Sequence, residues 1–393
     1  MHCSFRLESR HARPANQVSS SRSRQTRYRL SKPLYALQRE ICALAIPPVL
    51  RIRSATIRQG PITPHQSRPG VIRRSVCPPL QSGMPPRTGD ITLELDTLRL
   101  VVNPQIGASI VSLQLRNDRD QWAPVLREMP QESTDPADAG SFLMLPWTNR
   151  VKDASFRFED QTYTLTPNHS DGTAIHGIGR DRAWSITDRS PITARMTLDT
   201  RDDPASPYPF GGVVRYEVGP DRVEIDLSIT NLGQHPIPVG CGHHPYFHRH
   251  IFSDADRLRV QMGVTGRYAC DDCIPSGEVL DDETCASLRD SAPIGNPGLD
   301  DVFAGFNGQA VLEWAASNVR MRMRCDDAYR HVVIYTPKET DGSPNEYVCI
   351  EPVTMVNDGF NLMHRGVEGT GVRVLQPGET LRTTTRMVFE TMS

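Results

Sequence analysis

The sequence predicts an all-β protein, a large antiparallel sandwich or barrel, preceded by a basic extension without regular structure. Three observations carry this. From Ile91 onward apolar residues recur with period two along short runs, the alternation of half-buried strands. Clusters of Gly, Pro, Asn and Asp separate these runs at close intervals, as expected of hairpins in a sandwich or barrel. No long segment carries helical spacing, and no Gly-rich loop joins a strand to a helix, so a nucleotide-phosphate cradle is not expected.

The first segment differs in charge. Residues 1–85 hold 15 of the 44 Lys and Arg but only two of the 46 Asp and Glu, Glu8 and Glu40. The segment is therefore +13 and the remainder −15, inside a chain of net charge −2. Runs such as Ser19-Ser20-Ser21-Arg22-Ser23-Arg24 lack a hydrophobic period, and such a composition does not bury enough apolar surface to offset chain entropy. A disordered extension is expected. The apolar residues 41–50, broken by Pro47-Pro48, are too few to span a membrane and lie too far in for a secretory signal. A transit peptide, a basic tail for an acidic partner and a start assigned too far upstream of Met84 all fit, and the last is favoured because regular structure begins soon after Met84.

From there one domain, residues 86–393, is expected. Ile91, Leu93 and Leu95 alternate with polar residues, Leu98, Leu100 and Val102 resume after Thr97, and residues 108–115 follow the Asn103-Pro104 turn. Phe156 and Phe158 precede Glu159-Asp160-Gln161, with Tyr163 and Leu165 beyond, a hairpin. Residues 213–218 and 223–229 flank Gly219-Pro220-Asp221, another hairpin. Residues 311–314, 319–323, 332–335 and 347–350 read as strands, as do 372–375 and 381–389, which Gln376-Pro377-Gly378-Glu379 joins.

Against this background a few polar residues need explaining. Gly242-His243-His244-Pro245-Tyr246-Phe247 concentrates two histidines and two aromatics. Imidazole exchanges protons near neutrality, with an ordinary pKa of ~6.5. The following proline restricts His244 to extended backbone, and Tyr246 and Phe247 offer a wall for a sugar face. Asn149-Arg150 supplies donors and an amide acceptor suited to hydroxyl groups. His176 precedes Gly177, where a backbone or ligand can approach closely. Asp300-Asp301 lies between apolar anchors. Glu351 ends a strand whose Tyr347, Cys349 and Glu351 share a face, and Pro352 follows it. Each has a plain structural alternative: a turn, a cap, an edge charge. Cys270-Asp271-Asp272-Cys273 has no second CxxC at zinc-ribbon spacing and reads as an exposed loop with two free thiols. Arg180-Asp181-Arg182 reads as a solvated charge cluster.

Taken in order, Asn149-Arg150, His176-Gly177, His244-Pro245-Tyr246-Phe247, Asp300-Asp301-Val302-Phe303 and Glu351-Pro352 resemble the landmarks of the aldose 1-epimerase, or galactose mutarotase-like, family. The resemblance spans residues 91–389. It implies a β-sandwich of the mutarotase supersandwich type, with an open sugar cleft. It implies Glu351 as general base and His244 as general acid, with His176 and Arg150 polarising sugar oxygens and Asp300 and Asn149 holding hydroxyls. His243 stands where asparagine is common in galactose-active members. The implied reaction opens a hexose ring by removing the O1 proton while protonating O5, then recloses it on the other face, with no metal or other cofactor. The expected partner is a small-molecule sugar, with neither nucleic acid nor membrane, in a cytoplasmic monomer or homodimer. A hexose 6-phosphate epimerase, with Arg180-Asp181-Arg182 as anion site, a non-catalytic sugar-binding protein and a metal enzyme using His243, His244, His248 and His250 are the rivals. Because neighbours alternate across a strand, His243 and His244 should point to opposite faces.

Overall fold

A computed structural model describes residues 87–392 except 296, 340 and 341. The expectation of a disordered extension over residues 1–85 lies outside the described residues. The described chain is built mainly from two antiparallel sheets of 11 and nine strands.

The alternation that marked the strands is the alternation of burial. Ile91–Leu95 and Leu98–Asn103 pair with Leu93 opposite Leu100, and both side chains are fully buried. In the second sheet Phe210–Val218 and Arg222–Asn231 pair with Val218 opposite Val223, and Val214, Tyr216, Val223, Ile225 and Leu227 point inward. Inward residues of both sheets form one continuous apolar cluster, as two stacked sheets require. The hairpin predicted around Glu159-Asp160 forms, with Phe156 opposite Tyr163.

The last two predicted strands form and pair with different neighbours. Arg373–Leu375 pairs with Ile237–Val239, whereas Thr380–Thr391 lies between Arg222–Asn231 and Val319–Cys325. The intervening turn is captured from outside: Gly378 N–H donates to the Asn231 carbonyl at 2.9 Å, and the Asn231 side chain donates to Leu375 O at 2.8 Å. That anchoring moves the chain from the small ladder into the sheet. Two short helices, Glu283–Arg289 and Gly359–His364, complete the described elements. No described helix is long and apolar enough to cross a membrane.

Candidate active site

Five strands of the larger sheet run side by side in the order Ser141–Met144, Gly242–His248, Tyr347–Val353, His331–Tyr335 and Asp300–Ala304. Register places Phe142 opposite His244, Glu351 opposite Val333 and Val333 opposite Val302. Between the Gly242–His248 and Tyr347–Val353 strands, Gly242 pairs with Val353 and Tyr246 with Cys349. His244 and Glu351, midway between those pairs, therefore face each other across the ladder. One pleat along, Tyr246, Cys349, Tyr335 and Asp300 form a parallel row on the same face. These two rows are the floor of the site.

The neighbours of these residues point the other way. His243 faces the second sheet, where the Tyr329 hydroxyl stands 2.9 Å from its Nε2 and donates to Thr383 Oγ1 at 2.9 Å. Phe247 is fully buried in the inter-sheet core. Its expected place in a sugar wall is thereby corrected: only Tyr246 faces the site, because successive side chains of a strand alternate.

His244 Nε2 lies 3.2 Å from Glu351 Oε1. Glu351 is 1% exposed, and its Oε2 has no hydrogen-bond partner. Burial pushes the Glu351 carboxyl well above its ordinary value, Asp300 adds to the shift, and Arg150 opposes it. Burial pulls His244 down to about 3, and the charges of Arg180 and Arg127 act the same way. The carboxyl neighbour of His244 is itself driven towards neutrality, and guanidinium charges act on the ring. Both shifts favour the uncharged form of each group.

A second tier hangs over the floor. Arg150–Val151 forms a short ladder with Ala174–Ile175, and His176 N–H donates to Asn149 O at 3.0 Å. This brings Arg150 and His176 side by side. Gly177 makes the approach feasible. Its φ is +70°, and a Cβ there would stand 2.0 Å from Leu145 O. The His176 ring meets Phe142 and His244 edge-on, with centroids 5.3 and 5.1 Å apart, and its Nδ1 lies 2.9 Å from Met144 Sδ. Burial first, then the charges of His244 and Arg180, hold it well below the ordinary histidine value.

Arg150 is held on three sides. Nε donates to Asp171 at 3.0 Å, and Nη1 donates to Asp300 at 3.5 Å and to Asn149 Oδ1 at 3.3 Å. Asn149 Oδ1 also accepts from the Arg150 backbone N–H at 2.8 Å, so its carbonyl end is spent on positioning the arginine. All six residues singled out in the sequence therefore converge: Glu351 and His244 on the floor, Asp300 at its edge, His176, Arg150 and Asn149 above.

Several neighbours carried no usable signal. Cys270 and Cys273 are half-buried rather than exposed, and Cys273 Sγ donates to Asp300 Oδ2 at 3.2 Å. Asp272 and Cys273 both have positive φ, so a tight turn tips the thiol inward. Burial first, then the charge of Asp300, raises that thiol to about 12, which keeps it a donor. Arg180 is not a solvated charge either. Its side chain is 12% exposed and its guanidinium carbon lies 4.9 Å over the Phe142 ring, whereas Arg182 pairs with Asp203 at 2.6 Å.

The site is thus a buried carboxyl–imidazole pair on one sheet of a β-sandwich, beneath a polar tier of Arg150, His176 and Asn149. The family model for aldose 1-epimerase matches residues 90–388, and the chain belongs to that family. The uncharacterized Escherichia coli K12 protein YphB is 26% identical over 266 residues, 65% of this chain and 86% of that protein. The crystal structure of an Escherichia coli K12 protein has a TM-score of 0.67 at 25% identity, covering 77% of this chain and 99% of that one. The galactose 1-epimerase of Lactobacillus acidophilus NCFM shares the fold, with a TM-score of 0.60 at 20% identity, over 77% of this chain and 95% of that one. The fold is the galactose mutarotase-like sandwich expected from the resemblance.

Proposed function

We propose that the protein is a cofactor-independent aldose 1-epimerase interconverting the α and β anomers of a hexose. The observation that supports this best is the His244–Glu351 contact of 3.2 Å on a dry sheet face. Ring opening needs one proton delivered to O5 and another taken from O1. A pair holding a single proton does both: one member gives its proton as the other accepts. The two states so produced are tautomers of one pair, so opening on one face and closing on the other needs no exchange with solvent. Each positioned proton transfer contributes typically ~10²–10⁴-fold. Arg150 and Asp300 hold hydroxyl groups, and His176, kept neutral, completes the wall above the ring.

One observation favours a second substrate class within the same reaction. Among the described residues the Arg180 guanidinium makes no hydrogen bond, its nearest carboxylate oxygen being on Asp181 at 3.7 Å. Its charge acts on both His176 and His244. A hexose 6-phosphate would supply an anion within hydrogen-bond reach. Polarimetric equilibration of freshly dissolved α-D-glucose, α-D-galactose and α-D-glucose 6-phosphate, with wild type and Arg180→Met, separates the classes. A preference for the phosphate that Arg180→Met abolishes supports the charged substrate. Equal loss on all three sugars makes Arg180 part of the general site. No acceleration with any of them contradicts the epimerase reading.

A further inference from the structure

Cys349 stands beside the acid–base pair and has no part in the reaction proposed above. It occupies the second floor row, directly before the row of His244 and Glu351, and is fully buried. One ligand atom from each of His244, Cys349 and Glu351 lies within 4.8 Å of the other two. This is the one such trio of His, Cys, Asp or Glu found among the described residues. The four histidines His243, His244, His248 and His250 do not form another, since His243 points into the inter-sheet core.

The donor set is specific. Imidazole, thiolate and carboxylate are the three ligand types of zinc, bound at about 2.0–2.3 Å. Hard ions such as magnesium take oxygen ligands and keep water, so the thiol selects against them. Donors 3.2 Å apart, each about 2.1 Å from a shared ion, subtend roughly 100° at it, near the tetrahedral angle that zinc adopts. Glu351 Oε2 is also an orphaned buried oxygen, and a buried polar atom without a partner is costly. With three protein ligands on the floor, a fourth position opens upward, where the sugar would lie.

We propose that His244, Cys349 and Glu351 form a zinc-binding site, occupied in competition with the sugar. Binding replaces the thiol proton and the proton shared by the pair with the ion, and both protons pass to solvent. The bound ion occupies both members of the acid–base pair, so zinc acts as a reversible inhibitor. The inhibition rests on the acid–base reading, whereas the binding does not.

The test uses the full chain, freed of metal by a chelator that is then removed. Cobalt(II), a spectroscopic stand-in for zinc, should give a near-ultraviolet thiolate-to-metal band and strong visible bands of a tetrahedral site at one ion per chain. Zinc affinity is read by competition with a chromophoric chelator. Cys349→Ala should lose the thiolate band and weaken zinc at least 10-fold. Zinc inhibition of the wild type should shift by a like factor in that variant and be reversed by chelator. Glu351→Gln removes a second ligand and should weaken zinc at least 10-fold even if Cys349→Ala does not fold. Unchanged affinity in a folded variant, or no stoichiometric binding by wild type at micromolar zinc, overturns the site. Turnover without Cys349-dependent zinc binding overturns the metal site alone. Cys349-dependent zinc binding without turnover on any sugar upholds the site and overturns the epimerase reading.

Discussion

Glu351 carries a cost that its proposed role explains. A carboxyl with an orphaned oxygen, raised well above its ordinary pKa chiefly by burial, stabilises the fold fully only while protonated. The contribution is present below the unfolded value near 4.3 and is lost as pH rises through the elevated folded value. Glu351→Gln, which cannot ionise, should therefore gain stability relative to wild type as pH rises from 6 to 9, read as the difference in Tm. A difference independent of pH would contradict the raised pKa. The same shifts set the pH profile. With His244 pulled down to about 3 and Glu351 raised, kcat/KM should show no break at the ordinary histidine value of ~6.5 and should fall only as Glu351 ionises. A fall beginning near 6.5 on the alkaline side would instead mark an ordinary histidine acid. Cys273 belongs to this scale too. Losing its bond to Asp300 removes about 0.5–1.5 kcal/mol of hydrogen bonding. Cys273→Ala should raise KM about 2- to 12-fold with kcat little changed, and Cys273→Ser should restore much of it. A drop in kcat with KM unchanged would remove Cys273 from substrate positioning.

At the scale of elements, register does the assembling. His244 and Glu351 are distant in sequence, and nothing local says that Gly242–His248 and Tyr347–Val353 are neighbours. The sequence revealed strands such as Ile91–Leu95, Phe210–Val218 and Tyr347–Val353, because period-two burial is a local property, but not Ser141–Met144 or Asp300–Ala304; it placed His243 and His244 on opposite faces for the same reason. It did not reveal strand order, which depends on contacts far apart in the chain. The turn after Leu375 shows the same limit, since its capture by Asn231 is non-local. Phe247 was misassigned although alternation with Tyr246 was available to correct it. Cys273 and Arg180 were unreadable, since a thiol in a turn and an arginine in a charge cluster look alike whether they face water or a cleft. Gly177 tests the second tier. Gly177→Ala combines a φ of +70° with a Cβ 2.0 Å from Leu145 O, so the ladder carrying Arg150 and His176 must shift. Activity should fall at least 10-fold, with a lower Tm. Unchanged activity would mean that the tier tolerates displacement and that His176 is not held by it.

Across the whole molecule, four buried histidines share one behaviour. His176 is held well below its ordinary pKa, His243 and His331 are lowered to about 4, and His244 to about 3, in each case first by burial. A depressed folded value means that the stability is whole above the unfolded value of ~6.5 and is lost as pH falls toward the folded ones. Denaturant unfolding should show stability falling steadily from pH 7 to pH 4, through a change in midpoint rather than in slope. A profile flat across that window would contradict the neutral burial of these rings. His243 also ties the sheets together through Tyr329 and Thr383, which accounts for a second histidine in the motif without giving it a part in the chemistry. The central claim is that one buried pair moves both protons of anomerisation. The most direct measurement is the polarimetric rate for freshly dissolved α-D-glucose and α-D-galactose with wild type and Glu351→Gln, alongside sugar binding to each by calorimetry. Wild type should accelerate equilibration, the variant should lose ~10²–10⁴-fold of that acceleration, and sugar affinity should be largely retained. Undiminished acceleration by Glu351→Gln would contradict it.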